Sequence, residues 1–179
     1  MRGAAEFVKD TFNFPIMVAE VGVERGRNAV DMVQNISNIG KLYLIDDYLH
    51  YTDYLGGYCP QEIQDQVYQD MLERISLYSD KIIVIKKSSL DVAPTFPDGF
   101  FDFIYIDGNH NYESVKQDMH VWFPKVKKGG LLGGHDFDNR NITRQDVAEA
   151  VKDFCKENNL EYMVFPYELP AYNDWGIIK

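Results

Sequence analysis

Short apolar runs alternate with amphipathic stretches along the whole chain. The first run, residues 15–19, predicts a strand, and the loop Glu20-Val21-Gly22-Val23-Glu24-Arg25-Gly26 follows at once. Across 28–39, Ala29, Val30, Met32, Val33 and Ile36 recur at helical spacing, with Gly40 as the stop. A second apolar run, 42–45, ends in Asp46-Asp47. Pro60 then opens a helix in which Ile63, Val67, Met71 and Ile75 recur every fourth residue. Two more strands, 82–85 and 101–106, end in Ser88-Ser89 and Asp107-Gly108. Tyr112, Val115, Met119 and Trp122 share the next helical face, which stops before Pro124. Lys128-Gly129-Gly130 reads as a turn into a fifth strand, 131–132, ending at His135-Asp136. Thr143 with Asp146 resembles a helix-capping box, and Val147, Val151 and Phe154 continue that helix. Two closing strands, 161–165 and 175–178, are joined by a loop containing Pro166 and Pro170.

Nearly continuous apolar strands alternating with helices predict an α/β domain with a parallel sheet covered on both faces. No linker, repeat or low-complexity run interrupts the pattern, so 1–179 reads as a single domain. Ligands in such sheets sit beyond the carboxyl ends of the strands. Here those ends carry Glu20, Asp46, Ser88, Asp107 and Asp136. Wet strand termini account for one or two polar ends; this unbroken succession points to a site.

Charge narrows the partners. The formal net charge is −10, and the basic clusters, Lys86-Lys87 and Lys125 with Lys127-Lys128, are not interleaved with aromatics. A surface that grips nucleic acid needs clustered lysine and arginine to displace counterions, so a small-molecule acceptor is expected rather than DNA or RNA. Cys59 and Cys155 lie far apart and read as two free thiols in a reducing compartment. No run approaches the roughly 20 apolar residues that span a bilayer, and residues 1–10 lack the apolar core of a signal peptide. A cytoplasmic protein without membrane partners is expected.

The first glycine loop carries the strongest local chemistry. Gly22 and Gly26 let the backbone turn tightly and approach a ligand. They lie four apart, unlike the G-x-G-x-x-G arrangement that cradles a dinucleotide pyrophosphate. S-adenosylmethionine has no phosphate; it carries an ammonium and a sulfonium, which suit Glu20 at the strand end. Asp46 follows about twenty residues after Gly26, where an acidic side chain takes ribose hydroxyls in nucleotide folds. Asp47 competes for that role, since strand boundaries are read only to within a residue or so. Ser88 and Ser89 stand either at the adenine edge or as helix caps.

These residues match a family. The stretch from Glu20 to Asn28, the acidic end of the second strand and Ile106-Asp-Gly-Asn-His-Asn-Tyr-Glu113 resemble class I S-adenosylmethionine-dependent methyltransferases. So do Lys128-Gly-Gly-Leu-Leu-Gly-Gly-His-Asp136 and the closing Asp174-Trp-Gly-Ile-Ile-Lys179. The branch most similar is the small bacterial group related to macrolide-sugar and catechol O-methyltransferases. Glu24 departs from the general pattern, standing where many members have a middle glycine, and Asn109 stands where relatives often have aspartate.

The resemblance implies a Rossmann-like, doubly wound seven-stranded sheet of order 3-2-1-4-5-7-6 with the last strand antiparallel. It implies S-adenosylmethionine as cofactor, methyl transfer to a small hydroxylated acceptor, and a cofactor pocket of Glu20, Gly22, Gly26, Asp46, Ser88, Ser89 and Asp107. In metal-dependent members of the branch, a carboxylate after the fourth strand and two adjacent ligands after the fifth hold a divalent ion. Those positions here are Asp107, His135 and Asp136. His110 is the better candidate for the general base, with His135 as the alternative where no ion is present. Tyr48, Tyr51, Tyr54 and Tyr58 with Gly56-Gly57 form a lid or pack on the domain, and with the loop 137–142 select the acceptor. The resemblance leaves open a homodimer, a cofactor-binding module without turnover of its own, and a metal-dependent enzyme of the branch with another activity.

Overall fold

The structure, a computed structural model, describes residues 3–54, 57–138, 146–166 and 173–179. Its sheet contains β1 (Ile16–Val21), β2 (Ile39–Asp46), β3 (Ile82–Lys86), β4 (Phe101–Ile106), β5 (Val126–Gly134), β6 (Met163–Phe165) and β7 (Asp174–Ile178). The order is β3-β2-β1-β4-β5-β7-β6. β1 to β5 run parallel, and β7 is antiparallel to both of its neighbours. This is the Rossmann-like order that the resemblance implied, including its antiparallel close.

Each central strand is buried on both faces, and the side chains divide with a period of two. Val18, Leu42, Leu44, Phe103 and Tyr105 point into one core with α1 (Gly3–Thr11), α2 (Arg27–Asn35) and α3 (Gln61–Ile75). Ala19, Val21, Ile45, Ile104 and Ile106 point into the other core with α4 (Ser89–Val92), α5 (Tyr112–Trp122) and α6 (Asp146–Asn158). Trp122 and Trp175 are fully buried in that second core. An antiparallel hairpin of Tyr51–Tyr54 and Gly57–Cys59 lies between β2 and α3.

Several boundaries differ from the sequence pattern, each for a physical reason. α2 ends at Asn35, and Gly40 lies inside β2 rather than stopping a helix. A Cβ on Gly40 would come 3.3 Å from the Ile16 carbonyl oxygen, so this glycine permits close strand pairing. Gly129 and Gly130 likewise belong to β5, not to a turn before it. Gly129 has φ +79°, and the β4–β5 register shifts between Phe101 and Phe103. The strand therefore absorbs the irregularity that the sequence presents as a turn. α1, unassigned from the pattern, buries Ala4, Ala5 and Val8. α6 opens at Asp146 as expected, while Thr143 of the capping box lies outside the described residues.

Candidate active site at the carboxyl ends of the strands

A cavity of about 870 Å³ opens beyond β1 to β4. Of the expected cofactor residues, Glu20, Gly22, Asp46, Ser88, Ser89 and Asp107 line it, whereas Gly26 does not. Gly26 is the N-cap of α2 at φ 68°. A Cβ there would sit 3.1 Å from Met71 and 3.3 Å from Ile75, so Gly26 seats α2 against α3. Gly22 has φ +83°, and a Cβ on it would overlap the backbone of Asp107 and Gly108. Its bareness lets the first loop touch the loop after β4. The direct neighbour is protein backbone, where the sequence suggested a ligand.

Asp46 organises the first loop. Its Oδ2 accepts from the backbone N–H groups of Val23 (2.8 Å) and Glu24 (3.1 Å), and its Oδ1 from that of Tyr48 (3.0 Å). Burial pushes the Asp46 carboxyl up, against the lowering effect of these three bonds. Tyr48 is buried and donates its hydroxyl to the Glu24 carbonyl at 3.0 Å. Burial, with Asp46 nearby, pushes the Tyr48 phenol up. Glu24 and Tyr48 both adopt positive φ, 50° and 52°, so the clamp holds strained backbone on both sides. Asp47 also lines the cavity, and its Oδ1 accepts from the Leu49 N–H at 3.0 Å. Glu20 is 1% exposed and accepts from Asn28 Nδ2 at 3.0 Å.

The wall is strongly acidic. Glu20, Glu24, Asp46, Asp47, Asp107 and Asp118 line it, and Arg27 is its sole arginine or lysine among the described residues. Arg27 and Asp118 escaped sequence reasoning. Arg27 directly follows Gly26 at the start of α2, a position that would have flagged it. Asp118 lies mid-helix with no local signal, yet is 7% exposed and accepts a hydrogen bond from the Ser89 hydroxyl. Burial pushes Asp118 up to about 6, with the Ser89 bond opposing. Ser88 is the N-cap of α4 without a side-chain capping bond.

Beyond Asp107 the chain brings histidines and carboxylates together. His110 stands between two carboxylates, Nε2 at 3.4 Å from Asp107 Oδ1 and Nδ1 at 3.6 Å from Asp136 Oδ2. His135 is turned the other way: Nδ1 donates to Asp174 Oδ1 at 2.9 Å, and Nε2 lies 3.4 Å from Asp136 Oδ1. Asp174 is 2% exposed and also accepts from the Tyr105 hydroxyl (2.8 Å) and the Ala4 N–H (3.0 Å). Asp136 reaches both imidazoles from a left-handed φ of 58°. Just before it, a Cβ on Gly134 would meet the Ile106 carbonyl at 2.6 Å and the Trp175 ring at 2.7 Å. That glycine lets the chain pass under Trp175 and present His135 and Asp136.

Histidine–carboxylate pairs link the residues of the expected metal set, Asp107, His135 and Asp136. His110 intervenes between Asp107 and Asp136, and His135 is committed to Asp174. Among the described residues, no group of three or more histidines, cysteines or carboxylates is arranged to hold a metal ion. Neither His135 nor Asp136 lines the main cavity. Of the tyrosines, Tyr48 packs in the core, while Tyr51 lines the cavity mouth and Tyr58 is 68% exposed. The side chain of Tyr54, Gly56 and residues 139–142 lie outside the described residues.

The profile of a methyltransferase domain family matches residues 19–137. The chain belongs to that family. Solved structures similar to this methyltransferase domain share its fold at low identity. A candidate caffeoyl-CoA O-methyltransferase from Staphylococcus aureus is 14% identical, covers 100% of this chain and 84% of its own, with TM-score 0.68. A candidate methyltransferase from Streptococcus mutans, in complex with S-adenosylhomocysteine, is 11% identical over 97% of this chain and 94% of its own, with TM-score 0.67. A candidate rRNA methylase from Clostridium thermocellum is 12% identical over 100% and 98%, with TM-score 0.69. A protein of Acanthamoeba polyphaga mimivirus, R132, is 25% identical over 101 residues, 54% of this chain and 45% of that protein. The match thus spans less than half of that relative's length.

The methyltransferase cavity suits S-adenosylmethionine. Its volume falls in the range that encloses a small cofactor, roughly 300–1,000 Å³. Its carboxylates complement a sulfonium and an ammonium, and Arg27 complements a carboxylate.

Proposed function

We propose that this protein transfers the methyl group of S-adenosylmethionine to a hydroxyl of a small acceptor. The observation that carries the reading is His110, braced between Asp107 and Asp136 at one end of a carboxylate-lined cavity. The cofactor's adenosine lies toward Asp47, Ser88 and Ser89, and its methionine part toward Glu20 and Arg27. Asp47 takes the ribose hydroxyls, because Asp46 has both oxygens committed to backbone donors.

The sulfonium is already an activated electrophile. An acceptor oxygen aligned with the S–CH₃ bond forms the new C–O bond as the S–C bond breaks, and its electron pair returns to sulfur. The hydroxyl proton passes to His110, which Asp107 and Asp136 hold in place and whose imidazolium they stabilise. His135, fixed by Asp174, stands one carboxylate further away and is the alternative base.

The net charge of −10 favours a neutral or cationic small molecule over nucleic acid. Tyr51 at the cavity mouth offers a stacking or hydrogen-bonding surface for it. The test is a methyl-transfer assay against panels of hydroxylated and amine acceptors. Turnover on hydroxyls that collapses in His110→Ala supports the reading; turnover only on amines overturns the acceptor assignment.

A further inference from the structure

Asp174 opens β7, is 2% exposed, and collects donors from different parts of the fold. Its Oδ1 accepts from the Tyr105 hydroxyl of β4 at 2.8 Å and pairs with His135 Nδ1 at 2.9 Å. Its Oδ2 accepts from the Ala4 N–H of α1 at 3.0 Å. An ionised carboxylate filled by donors at both oxygens is an acceptor only, so the ring nitrogen facing it carries a proton. His135 is thereby held with Nε2 turned toward Asp136, 3.4 Å away. The Ala4 N–H lies in the first turn of α1, where backbone donors have no partner within the helix. Asp174 therefore caps α1 from β7, and its charge suits that end of the helix. The helix is seated closely there: Ala4 is fully buried, and a Cβ on Gly3 would come 2.6 Å from Phe165 Cβ.

We propose that Asp174 is a positioning residue that fixes the His135 ring and couples its orientation to the seating of α1. One carboxylate serves both elements. Without the Ala4 bond the carboxylate can turn about its own axis, and Oδ1 loses its register with Nδ1. The His135 ring is then free to swing away from Asp136, which also faces His110. The consequence for methyl transfer rests on the function proposed above, whereas the coupling is a property of the ligand-free fold.

The experiment is NMR of the ligand-free protein carrying isotope-labelled histidine. Wild type should show a slowly exchanging Nδ1–H resonance, downfield of the amide protons and absent from His135→Gln. In Asp174→Asn one acceptor oxygen becomes a donor, so Ala4 and His135 can no longer both be served. The resonance should vanish or exchange about 10- to 100-fold faster. Ala4→Pro removes the α1 donor at a first-turn position that tolerates proline, and should speed exchange by about tenfold with Asp174 intact. Lys9→Ala, on the exposed side of α1, should leave it unchanged. Circular dichroism and melting confirm that each variant is folded; a merely structural Asp174 would lower stability and leave the His135 proton as it was. Wild-type exchange in folded Asp174→Asn overturns the positioning role, and in folded Ala4→Pro it overturns the coupling to α1. A wild type that lacks the resonance overturns the inference whether or not the variants fold. In the methyl-transfer assay, Asp174→Asn should lower kcat about tenfold or more with KM for S-adenosylmethionine little changed. A wild type that transfers no methyl group to any acceptor overturns the proposed function and leaves the NMR result to judge Asp174.

Discussion

Asp118→Asn isolates the cost of burying a charge, through the pH dependence of stability. The carboxyl is raised from 3.8 to about 6, with burial as the main cause. Between those values the folded protein keeps a proton that the unfolded chain has already lost. Below about pH 4 both states are protonated, so Asp118 contributes no ionisation penalty. As pH rises through 6 the folded carboxyl must ionise inside the wall, and the penalty becomes complete. At about 1.4 kcal/mol per pH unit, the interval corresponds to roughly 3 kcal/mol above pH 6. Asparagine never ionises and retains an acceptor for Ser89. The ligand-free variant should therefore melt higher than wild type at pH 8, by roughly 6–12 °C for a domain of this size. The gap should shrink steadily as pH falls through 6 toward 4. The assay is calorimetric or fluorescence melting of both proteins across that range. A gap that is absent at pH 8, or that does not change with pH, refutes the reasoning.

Three further outcomes follow from the loops. Gly22→Val should unfold the first loop and abolish S-adenosylhomocysteine binding, since φ +83° alone costs about 1–3 kcal/mol and the side chain would also overlap Asp107 and Gly108; urea denaturation and calorimetry check both. Asp47→Ala should weaken S-adenosylhomocysteine binding by about 1–3 kcal/mol with unchanged melting. Asp46→Ala should lower the melting temperature as well, because it releases three backbone N–H groups. His110→Ala should cut kcat by about 10²- to 10⁴-fold while S-adenosylhomocysteine affinity holds, as expected of a group acting in the transfer step.

How much was legible in the sequence depended on the kind of order involved. Strands buried on both faces leave unbroken apolar runs, so the β1 to β4 pattern, the helices between them and the acidic strand ends could all be read. Gly40 and Gly129 could not, because a glycine after an apolar segment signals a stop or a close approach equally well. α1 was missed because its core face is made of small residues, Ala4 and Ala5 with Val8. Asp118 looks like a solvated helix position until α4 is packed over it. The clustering of His110 with Asp107 and Asp136 depends on the left-handed backbone at Asp136 and on the passage of Gly134 beneath Trp175. Neither leaves a local pattern, so the candidate residues were identifiable while the pairing of His135 with Asp174 was not.

The central claim is that the cavity at the strand ends is built for a sulfur nucleoside. Titration of the purified wild type with S-adenosylmethionine, S-adenosylhomocysteine and NAD tests it most directly. Micromolar binding of both sulfur compounds with no response to NAD is the expected result. Binding of NAD with silence toward both sulfur compounds would contradict the account.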